Sequence, residues 1–177
     1  MYHPCITEIY HWILEHTLRK NAVTVDATCG NGKDTLFLAE HSRLVYAFDI
    51  QEEAIEATKK RCADHTNIVY IRDSHTAMKK YVKETPDAVV FNFGYRPLSD
   101  HTVMTHTDTS LAAVKEAMDL LDPKGILVLA FYPHEEGRKE RAVITEWILE
   151  NDLVWTVYET KKTDAPVLYL VSKPVTK

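Results

Sequence analysis

Apolar positions in this chain fall into two patterns that take turns, stripes recurring at helical spacing and short unbroken runs. Ile6, Ile9, Tyr10, Ile13, Leu14 and Leu18 form a stripe that predicts a leading helix over 5–19, packed by one face on the rest of the chain. A β-branched run predicts a strand over 23–28, and the cluster Leu36, Phe37, Leu38 and Ala39 a buried helix over about 33–41. Leu44-Val45-Tyr46-Ala47-Phe48 reads as the second strand. Gln51 to Ala63 comes next as a helix with Ala54, Ile55, Ala57 and Thr58 inward, and Ile68-Val69-Tyr70-Ile71 is the third strand. A short helix over 75–82 leads through Pro86-Asp87 to Ala88-Val89-Val90-Phe91, apolar at every position as in strands buried on both faces. After a loop rich in Thr and His, a helix over 108–121 turns Leu111, Ala112, Val114, Ala117, Met118 and Leu121 inward. Asp122-Pro123-Lys124-Gly125 is a turn by composition. Strand 126–131, helix 135–150 and strands 153–159 and 167–171 complete the order.

Strands that alternate with helices pair in parallel, because each crossover helix returns the chain to the same end of the sheet. Only the polar segment 160–165 separates the last two strands, too short for such a helix, so one of them should be reversed. The expected fold is α/β: a seven-stranded, mostly parallel sheet with one antiparallel strand in the edge region and helices on both faces. At 177 residues the chain is expected to form a single domain over 1–177 with an N-terminal helix.

Candidate chemistry begins at Asp26-Ala27-Thr28-Cys29-Gly30-Asn31-Gly32-Lys33-Asp34-Thr35, where strand passes to helix through two of the chain's five glycines. A helix start presents unpaired N–H groups and a positive dipole end, which favours a polar or anionic ligand such as a nucleotide-like cofactor. Gly30-x-Gly32-x-x-Thr35 approaches the dinucleotide fingerprint, but Thr35 occupies the third glycine position, which weighs against a nicotinamide dehydrogenase. Asp49, closing the second apolar run, stands close to where an acid meets a ribose diol. Cys29 reads as a small side chain filling a tight turn or as a nucleophile.

Open parallel sheets bind ligands at the carboxyl ends of their strands, near the point where strand order reverses. Asp26 to Gly32, Asp49, Asp73 and Asn92 all fall just past expected strand ends and should converge on one rim. Ser74 serves equally well as the cap of the short helix beyond it. In Asn92-Phe93-Gly94-Tyr95, the Asn92 side-chain carbonyl and the Phe93 backbone carbonyl can each accept a hydrogen bond from an amine, aiming its lone pair. Tyr95 offers a ring for stacking on a base. The alternative has Asn92 capping a loop and Tyr95 in the core. An aliphatic amine must also lose a proton, and His101, His106, His134, Asp100 and Glu135 are the acceptors to consider. His134 is preferred because it directly follows the fifth strand and Pro133, although His134-Glu135 also reads as a helix start.

Composition narrows the classes. A formal charge of −5 argues against a protein that coats nucleic acid indiscriminately, while leaving room for a selective RNA enzyme. Among its basic clusters, Arg138-Lys139 with Arg141 and Lys161-Lys162 lie where they would matter for substrate. Three cysteines, far apart, form neither a metal pair nor a redox pair, and nine histidines include no zinc-type spacing, so no metal is expected. Neither a signal segment nor an apolar run long enough to span a membrane is seen, which points to a cytoplasmic protein.

Asp26-Ala27-Thr28-Cys29-Gly30-Asn31-Gly32 followed by Phe48-Asp49-Ile50-Gln51 resembles the S-adenosylmethionine site of class I methyltransferases, with Thr28 where the first glycine usually stands. Asn92-Phe93-Gly94-Tyr95 is similar to the Asn-Pro-Pro-Tyr motif of amino-directed methyltransferases, both prolines being replaced. More narrowly, Asp-Ala-Thr-x-Gly-Asn-Gly-x-Asp-Thr, Phe91-Asn92-Phe93-Gly94-Tyr95 and Tyr132-Pro133-His134-Glu135-Glu136-Gly137 together resemble a bacterial family once labelled rRNA methylase. That family is now assigned as the MnmM-type tRNA 5-(aminomethyl)-2-thiouridine methyltransferases, and the similarity covers almost the whole chain. The resemblance implies a Rossmann-like class I methyltransferase fold and S-adenosylmethionine as cofactor. The cofactor would be held by Asp26, Thr28, Cys29, Gly30, Asn31, Gly32, Asp34, Thr35, Asp49, Ile50, Gln51, Asp73, Ser74, His75, Asn92 and Phe93. Asn92, Tyr95 and His134 would serve catalysis, the substrate would be the wobble nucleotide of a tRNA anticodon arm, and the protein would be a homodimer. The alternatives are methylation of another RNA base or a small amine, and a nucleotide-binding sensor or assembly factor without catalysis.

Overall fold

The apolar runs assemble into one seven-stranded sheet, seen in a computed structural model that describes residues 4–93, 107–161 and 164–174. In chain order the elements are α1 (Ile6–Thr17), β1 (Val23–Asp26), α2 (Lys33–His41), β2 (Leu44–Asp49), α3 (Glu52–Arg61) and β3 (Ile68–Arg72). A single turn of tighter helix at His75–Ala77 then runs into α4 (Met78–Tyr81). The remaining elements are β4 (Ala88–Phe93), α5 (Thr107–Leu120), β5 (Ile126–Phe131), α6 (Glu135–Glu150), β6 (Val154–Tyr158) and β7 (Val167–Ser172). The strands lie in the order β3-β2-β1-β4-β5-β7-β6. β1 pairs in parallel with both β2 and β4, so the order turns back between β1 and β4, the place where open α/β sheets bind their ligands. β7 is the reversed strand, antiparallel to β5 on one side and to β6 on the other. The expected hairpin is therefore present, with its second strand inserted beside β5 and its first left at the edge.

Side chains alternate across the central strands and build two apolar layers. Val89, Phe91, Phe93, Leu127, Leu129 and Phe131 face Met78, Met118, Ile144 and Ile148 from α4, α5 and α6. Ala88, Val90, Val128 and Ala130 face Tyr10, Leu14 and Leu38 from α1 and α2. Phe91, Phe93 and Phe131 stack in series at 5.3 and 5.2 Å, each burial contributing about 2–3 kcal/mol. The apolar flank of α5 (Val114, Ala117 and Met118, with Ala113) belongs to the first layer and supplies the chain's own core, whereas Ala112, expected to turn inward, is exposed.

One expectation is corrected here. Asn92 and Phe93 do not lie beyond the fourth strand: β4 continues through both, paired with Ala130 and Phe131 of β5. The Phe93 side chain is accordingly core, and alternation turns Asn92 toward the α1 and α2 face. A polar residue ends an apolar run in the sequence, whereas the ladder extends as far as its backbone partners reach.

Candidate active site

The turn between β1 and α2 is the piece to which the other strand ends are tied. Gly30 and Gly32 have φ of +50° and +76°, a left-handed backbone that costs other residues about 1–2 kcal/mol. A Cβ on Gly32 would stand 2.8 Å from the Thr58 Cα of α3, whereas one on Gly30 would meet nothing nearer than 3.8 Å. Gly32 is therefore needed where α2 closes on α3, and Gly30 leaves open space on its outer side.

Three strands reach this turn. The Gly30 N–H donates to the Asp49 carboxylate at the end of β2 at 3.1 Å, and the second Asp49 oxygen accepts the Gln51 N–H at 2.9 Å. After β3, His75 lies near the Ala27 carbonyl and meets Phe91 edge-on. Burial holds its imidazole below the usual histidine range against the pull of that carbonyl, leaving it neutral at pH 7. From β4, the Asn92 N–H donates to Thr28 Oγ1 at 2.8 Å. Asp49, His75 and Asn92 thus meet within residues 27–30, on the single rim expected.

Beneath the turn, Asp26 is fully buried and accepts the Thr28 N–H at 3.2 Å and the Thr35 hydroxyl at 2.6 Å. Burial, reinforced by the Asp34 charge, pushes its carboxyl up to about 7. Asp26 and Thr35 hold the turn from below and present no surface to a ligand. Cys29 is buried as well, its N–H on the Phe48 carbonyl and its sulfur accepting from the Thr58 hydroxyl, and burial pushes its thiol up. Such a thiol stays protonated, which removes the nucleophile reading. Asn31 is exposed, its carbonyl accepting from Arg61. Ile50 is 53% exposed beside Asp49, an apolar surface next to a carboxylate.

The Asp73 carboxylate accepts from the Tyr81 hydroxyl, the Ser74 N–H and Lys80, bonds that hold it below the usual carboxylate range. Ser74 caps the next turn, accepting the Thr76 N–H at 3.2 Å. His134 is the N-cap of α6: its Nδ1 accepts the Gly137 N–H at 2.9 Å, which leaves Nε2 protonated toward the Phe93 carbonyl at 3.2 Å. Both ring nitrogens are engaged, which is the arrangement of the helix-start reading. Tyr95, Asp100, His101 and His106 lie outside the described residues.

Four participants take a role that sequence pattern does not announce. Asp34 accepts from the Tyr10 hydroxyl at 2.8 Å and from His11 Nε2 at 2.7 Å, and its other oxygen accepts from Asn92 Nδ2 at 3.3 Å. The phenol of Tyr132 lies near the same Asn92 amide. In the sequence Tyr10 belongs to an apolar stripe. The available signal is its hydroxyl, since a buried phenol needs a partner. Among the described residues no three His, Cys, Asp or Glu side chains are grouped as metal ligands, and no helix is long and apolar enough to cross a membrane.

A parallel sheet reversing between β1 and β4, a glycine turn there, and an acid closing β2 together define a Rossmann-like class I methyltransferase fold. Residues 45–171 match the model of the family described as "Putative rRNA methylase", and the chain belongs to that family. It is similar to the crystal structure of a "putative rRNA-methylase" from Clostridium thermocellum at 30% identity and a TM-score of 0.91, covering 98% of this chain and 100% of that one. A "putative methyltransferase" from Streptococcus mutans, in complex with SAH, is similar at 32% identity and a TM-score of 0.89, over 98% of this chain and 100% of that one. An Arabidopsis thaliana protein named "tRNA (mnm(5)s(2)U34)-methyltransferase, chloroplastic" is 35% identical over 160 residues, 78% of this chain. The aligned chain spans 57% of the length of that plant relative.

Proposed function

We propose that the protein transfers a methyl group from S-adenosylmethionine to the amine of 5-aminomethyl-2-thiouridine at the wobble position of a tRNA. The observation that carries this reading is the meeting of Asp49 and Asn92 on one turn, through Gly30 and Thr28. A nucleoside needs an acceptor for its ribose diol and an apolar surface for its base. Asp49 retains lone pairs for the first and exposed Ile50 offers the second. The open side of Gly30 suits the close approach of the cofactor's remaining chain.

When bound, that cofactor supplies an electrophilic methyl group on a sulfonium. The work left to the protein is to hold the attacking nitrogen in line and near contact. Asn92 Oδ1 is the acceptor offered to the amine. A cleft of about 260 Å³ lies next to this end of the sheet, lined by Tyr132, Pro133, Arg138 and Arg141 among others, with Arg141 paired to Glu159 on the same lining. The name of the plant relative supports a tRNA acceptor over the rRNA of the family's description.

The test is to incubate the purified protein with S-adenosylmethionine and tRNA carrying 5-aminomethyl-2-thiouridine, then to weigh the released nucleosides. The expected result is one methyl group gained on the aminomethyl nitrogen. An unchanged nucleoside, or methylation of rRNA alone, removes this substrate.

A further inference from the structure

The amide of Asn92 has its orientation chosen for it. An ionised carboxylate only accepts hydrogen bonds, so the Asn92 end lying 3.3 Å from Asp34 Oδ2 must be the NH2 group. The carbonyl oxygen is then turned the other way. Asp34 is in turn fixed from α1: the Tyr10 hydroxyl at 2.8 Å and His11 Nε2 at 2.7 Å both reach Oδ1, and the His11 ring stacks on Phe37 at 3.9 Å with 4° between planes. Burial alone would raise the Asp34 carboxyl, but the bonds from His11 and Tyr10 outweigh it and hold the carboxyl below its usual range. The charge that orients the amide is therefore present at neutral pH.

We propose that Asp34, seated by Tyr10 and His11, is a positioning residue that locks the Asn92 amide with its carbonyl oxygen available to the acceptor amine. This rests on the reading of Asn92 as the group that receives the amine. In an Asp34→Asn variant either end of the new amide could face Asn92, and the Asn92 carbonyl would be presented only part of the time. A merely structural Asp34 would change folding without acting through Asn92.

Single-turnover methylation in a double-mutant cycle separates the two. Asp34→Asn should slow the step about tenfold or more, the scale of one hydrogen bond to a charged group. In an Asn92→Ala background the same change should cost less than about twofold, because the group it acts through is gone. His11→Gln, which keeps a donor but loses the stacked ring, should give a smaller loss that also vanishes without Asn92. Equal losses in both backgrounds, or an undiminished rate in Asp34→Asn, overturn the proposal. If Asp34→Asn melts too low to assay, His11→Gln decides by the same criterion. Nitrogen-15 spectra give a readout independent of turnover: the Asn92 side-chain NH2 signals should be exchange-protected in the wild type and shifted in Asp34→Asn, and unchanged signals also overturn it. A wild-type protein that leaves the nucleoside unmethylated sinks the functional reading alone, while those signals still decide whether Asp34 holds Asn92.

Discussion

The backbone N–H of Asn92 donates to the hydroxyl of Thr28 at 2.8 Å, across the point where the strand order turns back. This bond ties the residue meant to receive the acceptor amine to the turn meant to receive the cofactor. Thr28→Val keeps the shape and removes the acceptor, leaving a partly buried N–H unsatisfied at a cost of about 1–3 kcal/mol. Denaturant unfolding should show that loss in Thr28→Val and little of it in Thr28→Ser, which keeps the hydroxyl.

Asp49 accepts two backbone N–H groups and keeps lone pairs for a diol. Asp49→Ala should weaken S-adenosylmethionine binding by about 10–100-fold, corresponding to loss of one or more charge-assisted hydrogen bonds. Titration calorimetry measures it directly. Unaltered affinity would take the ribose role away from Asp49.

The two turn glycines should part company on substitution. Gly32→Ala combines a left-handed backbone with a Cβ pressed on the Thr58 Cα, and should cost about 2–5 kcal/mol in unfolding free energy. Gly30→Ala has the backbone cost alone, about 1–2 kcal/mol, yet places a methyl where the cofactor would approach. The expected pattern is a stable Gly30→Ala with poor cofactor affinity and an unstable Gly32→Ala, read by denaturant unfolding and calorimetry together.

Asp26 gives the protein a pH signature. Its folded-state carboxyl is raised to about 7 from the ordinary carboxylate value, so between about pH 4 and 7 the native state binds more protons than the unfolded one. Its contribution is fully present below the unfolded value and is lost as pH rises through about 7. Asp26→Asn cannot ionise and escapes that loss. Relative to wild type, the variant should gain stability, on the order of 3 kcal/mol, between pH 4 and 8 in parallel unfolding series. A difference that stays constant with pH would mean that Asp26 is charged throughout.

His134 is read as a cap, and its substitution should behave as one. His134→Ala should cost about 1 kcal/mol in stability, with most of it recovered in His134→Asn, a strong N-cap residue. The pH dependence of single-turnover methylation should keep its midpoint in both variants. A midpoint displaced in His134→Ala would restore the imidazole as proton acceptor.

Local pattern carried most of the fold. Helix 135–150 and strand 126–131 were legible to the residue, because spacing and caps are properties of neighbours in the chain. The glycine turn was equally legible, since a left-handed backbone announces itself through residue type. The placement of β7 between β5 and β6 was not, because a short connection requires the two strands to pair without saying which one meets β5.

The site divides along the same line. By itself the sequence determined that Asp26, Asp49, Asp73 and Asn92 would stand at strand ends on one rim, because a parallel sheet brings the ends of its strands together whatever their order. Only the tertiary structure decided which of them face outward. Asp26 lies underneath, His134 is bound up in a cap, and Tyr10 and His11 reach from α1 across to Asp34. Such pairings join positions far apart in the chain, and no periodicity records them: a side chain's donors and acceptors are matched in space, after the sheet and its helices have closed.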